Sequence, residues 1–281
     1  MNEIGVAIGI MTALAAVLAA VLAVADRYLS VEEDPRLETT TEMLPGTNCG
    51  ACGSPGCAAF AESLVAGENS PAGCTVADDD SRAQIATFLG VDVGSAIKRV
   101  ARLKCAGGDG NARQISSYEG IKTCRAAIVV DGGTRSCTWG CLGLGDCGVV
   151  CDFDAIHMNR VGLPVVDLDL CTACGDCVDV CPLDLYVVAP IEEHLFVQCN
   201  TPLAGEAAAK ACSVACDACG LCAADAPPGA VEMVGGLPVV NHENGPTARS
   251  TWRCPSGAIQ WLTGPQFTEF EDKKPKRRNH A

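Results

Sequence analysis

The chain has 281 residues, a formal net charge of −14 at pH 7 and a sequence pI near 4.6, so it lacks the basic surface that nucleic-acid binding requires. Twenty cysteines stand against three Trp, three Tyr and six Phe, too few large side chains for an ordinary core, so disulfides or metal centres must supplement it. The length fits two or three small domains rather than one large one.

Residues 4–25 carry no charge and are almost wholly Ala, Val, Leu, Ile, Met and Gly. At helical rise they span about 33 Å, enough to cross a bilayer. A cleaved signal peptide is the rival reading, since Ala23-Val24-Ala25 resembles a cleavage site. Glu3 and the absence of Lys or Arg before the apolar run oppose it. Residues 1–26 are therefore read as a transmembrane anchor. Arg27 on its C-terminal side places the rest of the chain in the cytoplasm. Gly5, Gly9 and Ala13 share one helix face, as in a helix packed against other membrane helices.

An acidic linker, 27–43, leads into a four-cysteine domain at 44–92 holding Cys49, Cys52, Cys57 and Cys74. Residues 58–66 read as a short helix. A second runs from Asp78 to Leu89, with Gly90 past its end and Ile85, Phe88 and Leu89 facing inward. Four thiolates also suit tetrahedral zinc, and this module alone leaves zinc open.

Past a connecting region, 93–135, the run Cys171, Cys174, Cys177, Cys181, Pro182 has the C-x2-C-x2-C-x3-C-P spacing of bacterial ferredoxins. Thiols so close in sequence can converge on one cubane, whereas disulfides gain more by joining distant segments. Cys137, Cys141, Cys147 and Cys151 form an irregular partner run with Leu144 where a cysteine is regular. In two-cluster ferredoxins the fourth cysteine of each run serves the other run's cluster. That rule pairs Cys137, Cys141, Cys147 and Cys181 for one cluster, and Cys151, Cys171, Cys174 and Cys177 for the other, in a module at 136–190.

A 75-residue offset maps Cys124, Cys137, Cys141, Cys147 and Met158 onto Cys199, Cys212, Cys216, Cys222 and Met233. This second copy, 191–265, keeps Cys216, Cys219 and Cys222, then has no cysteine until Cys254-Pro255. Losing one cluster and keeping the other predicts this pattern, with Cys216, Cys219, Cys222 and Cys254 on the survivor. Cys105, Cys124, Cys199 and Cys212 remain, either as a fifth set or as buried thiols acting as small hydrophobes. The basic tail, 266–281, suits anionic lipid or a partner, or is a solvated end. The fold expected is α+β: one N-terminal transmembrane helix, a small four-cysteine cluster domain, and ferredoxin-like [4Fe–4S] modules, with strands near 165–166 and 239–240.

The order of these parts resembles the B subunit of the Rnf complex, the ion-translocating ferredoxin:NAD oxidoreductase of bacterial membranes. The N-terminal helix, Val31-Glu-Glu-Asp-Pro35, the stretch from Leu44 to Cys57 and the ferredoxin modules carry the likeness, which covers nearly the whole chain in its longer form. The resemblance implies a translocase component with at least four [4Fe–4S] clusters, taking electrons from soluble ferredoxin and passing them to other membrane subunits of the complex.

No catalytic side chains are evident: His157, His194, His242 and His280 are scattered, and no Gly-x-Gly-x-x-Gly or phosphate-binding loop suggests a nucleotide site. Function then lies in the clusters. A polyferredoxin of another membrane reductase or hydrogenase shares them without needing the Cys49–Cys74 module. A zinc-stabilised scaffold is the non-redox alternative.

Overall fold

The computed structural model describes residues 2–29, 34–130 and 132–267. Val31, Glu32 and Glu33 of the expected linker, and the basic tail from residue 268, lie outside the described residues.

Helix α1 (Asn2–Leu29) contains a 21-residue apolar span, Gly5–Ala25, of mean hydropathy 2.6, none of it buried within the chain. Large side chains such as Ile10, Met11 and Leu22 stand exposed along it. A single helix with an apolar surface all round needs a membrane or other helices to cover it.

The stretch expected to be linker holds helix α2 (Pro35–Met43). Asp34 caps it by accepting the Arg36 N–H at 2.9 Å and pairs with the Arg36 guanidinium at 2.6 Å, with Pro35 in the first turn. Two of its three threonines return their hydroxyls to the helix backbone, Thr40 to Arg36 O and Thr41 to Leu37 O. Helix α2 packs on α3 (Cys57–Val65) and α4 (Asp79–Leu89) around Leu44, Phe60, Leu64 and Ile85. Each of these large side chains adds about 2 kcal/mol by leaving water. Residues 35–43 thus pack on the same apolar core as the cysteine-bearing segment.

Helix α4 has the expected ends: the Asp78 carboxylate accepts the Ser81 N–H at 2.7 Å, and Gly90 is left-handed at φ 69°. Its inward face differs. Ile85 and Ala86 are buried with Leu89 against them, while Phe88 is 41% exposed. A face centred between 85, 86 and 89 puts position 88 about 110° away at 3.6 residues per turn.

Strand β1 (Arg99–Leu103) lies in the expected connecting region, then α5 (Cys124–Ile128), α6 (Asp146–Val149), β2 (Ile156–Met158), β3 (Pro164–Val166), α7 (Asp176–Asp179) and β4 (Tyr186–Pro190). The second copy holds β5 (Leu195–Val197), α8 (Gly205–Ala211), α9 (Leu221–Asp225), β6 (Val231–Val234), β7 (Leu237–Val240) and β8 (Ile259–Trp261). Four two-stranded antiparallel sheets result among the described residues: β1 with β4, β2 with β3, β5 with β8 and β6 with β7. The hairpins at 156–166 and 231–240 bear out the strands expected near 165–166 and 239–240.

Leu103 pairs with Tyr186, so residues 99–103 of the expected connecting region form a two-stranded sheet with β4. Each sheet has two strands, a size that is marginal in water. The core between them mixes sulfur with apolar side chains: Cys105 and Cys177 are buried among Leu103, Ile156, Val166 and Leu185.

Candidate iron–sulfur centres

Three cysteine runs share one backbone path. Gly143, Ala173 and Ala218, each two residues past the first cysteine, have φ of 77°, 62° and 62°. Gly145, Gly175 and Gly220 are left-handed and open α6, α7 and α9. Each path wraps its chain tightly so that cysteines three residues apart face one point. Leu144 therefore occupies the place that Cys174 and Cys219 hold in the other runs, with no lengthening of the loop.

The thiols ring separate hollows, four cysteines to each. One is lined by Cys151, Cys171, Cys174 and Cys177, and another by Cys216, Cys219, Cys222 and Cys254, the groupings expected from the crossover rule. The remaining expected group differs by one member. Cys141, Cys147 and Cys181 share their hollow with Cys124, not Cys137. The physical reason is local. The N–H groups of Cys124 and Arg125 donate to the Asp146 carboxylate at 2.9 and 3.3 Å, which ties the start of α5 to the start of α6. The Leu144 N–H then points at the Cys124 sulfur, so Cys124 fills the place left by Leu144. Cys137 lies instead in a fourth hollow, with Cys105, Cys199 and Cys212. In the N-terminal domain Cys52, Cys57 and Cys74 pack on one core, and Asn48 Oδ1 accepts the Cys57 N–H at 2.8 Å. Cys49 lies half-buried in the same loop.

The donor set fits iron–sulfur clusters. Among the described residues no three Cys, His, Asp or Glu converge closely enough for a single ion. Tetrahedral zinc, with sulfur about 2.3 Å from the metal, draws its thiolates within about 4 Å of one another. Thiols spread around a hollow, with backbone N–H groups aimed at sulfur, suit a larger centre whose sulfurs accept hydrogen bonds. The Ala77 N–H reaches Cys74 Sγ at 3.4 Å and the Ala101 N–H reaches Cys171 Sγ at 3.5 Å. Burial pushes the Cys105 and Cys216 thiols up to about 11 and Cys177 up to about 12. These groups are protonated at pH 7 without iron, and cluster assembly releases their protons.

Two buried side chains lie beside the thiols. Arg102 is 2% exposed, donates to Gly264 O at 2.9 Å, and lies 5.6 Å from the centre of the Phe196 ring. Burial lowers its pKa and the nearby Cys171 opposes that change. The Tyr186 hydroxyl, buried and with no nitrogen or oxygen partner among the described residues, lies against Cys147 and near Cys177, between two hollows. A hydroxyl donating to cluster sulfur stabilises the more negative, reduced state. Tyr186→Phe is accordingly expected to lower one midpoint potential by about 40 mV, equivalent to about 1 kcal/mol for one electron. Redox titration followed by EPR checks this, and an unchanged set of potentials would show that the hydroxyl does not tune.

Comparison with known proteins agrees with this chemistry. An Fe-S cluster family model matches residues 44–76, and a 4Fe-4S binding domain model matches residues 164–185. The chain is 39% identical over 216 residues to the B subunit of the Na(+)-translocating ferredoxin:NAD(+) oxidoreductase complex of Acetobacterium woodii, covering 77% of this chain and 65% of that one. It is 36% identical over 283 residues to the B subunit of the proton-translocating ferredoxin:NAD(+) oxidoreductase complex of Clostridium ljungdahlii, covering 99% of this chain and 100% of the relative. It is also 31% identical over 254 residues to the B subunit of the ion-translocating oxidoreductase complex of Methanosarcina acetivorans, covering 90% and 96%. With its thiol-ringed hollows and apolar helix, this chain belongs to the family of B subunits of ion-translocating oxidoreductase complexes, as an iron–sulfur electron-transfer protein.

Proposed function

We propose that the chain takes electrons from soluble reduced ferredoxin and relays them along four [4Fe–4S] sites toward partner subunits in the inner (cytoplasmic) membrane. The ligand sets are Cys49, Cys52, Cys57 and Cys74; Cys151, Cys171, Cys174 and Cys177; Cys124, Cys141, Cys147 and Cys181; and Cys216, Cys219, Cys222 and Cys254. The observation that carries the reading is the physical continuity between neighbouring sets. The Thr75 hydroxyl, next to Cys74, donates to Thr172 O at 2.7 Å, joining the N-terminal domain to the loop between Cys171 and Cys174. Tyr186 joins that set to the Cys147 set. Clusters, when bound, supply one-electron sites tuned by burial and hydrogen bonds to sulfur.

The chain's own residues then set direction. Cys219 is the exposed thiol of the chain's far end, where a soluble donor can approach. The Cys49–Cys74 domain follows the anchor in sequence and suits the exit. Gly5 and Gly9 present an open face on α1, with free space where a Cβ would stand, for packing against partner helices in lipid. Arg27 favours a cytoplasmic orientation for the sites.

Anaerobic rapid-freeze mixing of the full-length chain in detergent with reduced ferredoxin, followed by EPR, tests the reading. Decay of the reduced ferredoxin signal with matching growth of reduced-cluster signals belonging to the chain is the expected result. A ferredoxin signal that persists unchanged, or zinc in place of iron, would refute it.

A further inference from the structure

Cys105, Cys137, Cys199 and Cys212 come from four separate places: the end of β1, the loop before the Cys141 run, the segment after β5, and the end of α8. The fold brings them around one hollow all the same. We propose that these four thiolates hold a fifth [4Fe–4S] cluster, which bridges the two ferredoxin copies. This rests on the electron-relay reading above and adds a site to it.

The hollow matches the others in size. Its empty volume is ≈ 350 Å³, between the ≈ 340 Å³ of the Cys171 site and the ≈ 400 Å³ of the Cys141 site. Cys105, Cys137 and Cys212 are 6%, 8% and 4% exposed, so the site is shielded. Glycine backbone forms part of its wall. A Cβ on Gly140 would lie 3.5 Å from both Cys105 and Cys137 Sγ, and one on Gly107 would lie 3.1 Å from Cys212 Sγ. All four sulfurs attract backbone N–H groups. Cys105 Sγ accepts from Gly107 and Cys141 at 3.4 and 3.3 Å, and Cys199 Sγ from Cys216 at 3.3 Å. The Trp139 and Val214 N–H groups point at Cys137 and Cys212. Thiols kept only as small hydrophobes gain little from such donors; thiolates on iron gain much.

The internal repeat explains how these cysteines came free. Cys124 serves the first copy because Leu144 does not. In the second copy position 219 is a cysteine, so Cys199, the counterpart of Cys124, is released. Cys137 and its counterpart Cys212 then meet Cys199 and Cys105 at the junction. The position completes the relay. Cys105 touches the N–H of Cys141, a ligand on one side, and Cys199 touches the N–H of Cys216, a ligand on the other. One electron enters from the reduced neighbouring cluster and one leaves to the other neighbour, with no bond made or broken and no proton moved.

The test is metal and sulfide content with native mass spectrometry and EPR on the anaerobically purified full chain. The wild type is expected to hold about 20 irons, four per cubane, and a Cys199→Ala/Cys212→Ala variant about 16, with one EPR component lost. If the variant does not fold, the cluster count in the native mass of the wild type decides alone. A wild type with about 16 irons overturns the fifth site while leaving the four-site relay standing. So does one zinc at this site beside those irons, or a folded variant with undiminished iron. Little iron anywhere would sink both readings.

Discussion

Removing the iron from the purified chain is expected to unfold residues 97–267 while the helices of the N-terminal domain persist longest. In the ferredoxin copies each sheet described has only two strands, and most helices are four or five residues long. Isolated helices below about 12 residues are marginal in water, and so are lone hairpins. What these elements pack against is the wall of the cluster sites: Leu103, Ile156, Leu185 and Tyr186 all line a thiol-ringed hollow. Binding energy for a metal centre absent from the unfolded chain counts directly as folding energy. The N-terminal domain differs because Phe60, Leu64 and Ile85 give α2, α3 and α4 an apolar core of their own. Limited proteolysis after anaerobic chelation should therefore cut first beyond residue 97 and leave a fragment containing residues 34–90. Circular dichroism should lose much of its signal outside α1. Equal protease resistance with and without iron would contradict this account of what holds the fold together.

Much of this architecture is legible in the sequence because cysteine spacing is a direct statement of ligand geometry. The Cys171–Cys181 run and the Cys216–Cys222 triplet give their groupings without help from the fold, and Asp78 and Gly90 mark the ends of α4. Harder to read is whatever depends on partners distant in sequence. Strand β1 is short, and what defines it is its pairing with β4, nearly ninety residues on. Helix α2 falls in the stretch read as an acidic linker, although the Asp34-Pro35 start is a recognisable cap signal. Cys124 is the instructive case. Nearness in sequence favours Cys137 as the replacement for the cysteine absent at 144, since it precedes the run by four residues. The repeat held the contrary signal: Cys124 and Cys199 correspond, and the copy that has Cys219 does not need Cys199. Arg102 and Tyr186 carried no motif at all, because a side chain buried beside sulfur is placed by the fold and not by spacing.

The exchange between Cys124 and position 144 leads to the second large effect. Cys124→Ala is expected to abolish the cluster at Cys141, Cys147 and Cys181, lowering iron by about four per chain and removing its EPR component. A conservative loss of packing would not do this, since Cys124 is only half-buried and α5 keeps its Thr123 cap through the Ala126 N–H at 3.2 Å. The decisive variant adds Leu144→Cys to Cys124→Ala. Backbone conformation at Gly143 and Gly145 matches that around Cys174 and Cys219, so a thiol at 144 should stand where those thiols stand. The double variant then has the regular C-x2-C-x2-C run and should recover the lost iron, the signal and a potential near the original. Rescue of this kind separates ligation from a merely structural role, because Leu144→Cys restores a ligand without restoring any contact of Cys124. Should Cys124→Ala retain its iron while Cys137→Ala loses this cluster, Cys137 would be the ligand and the hollows would be misassigned. Should both single variants lose iron but only the Cys124 defect respond to Leu144→Cys, each cysteine serves its own centre. That last pattern is the one the geometry requires, with Cys124 at the Cys141 hollow and Cys137 at the junction between the copies.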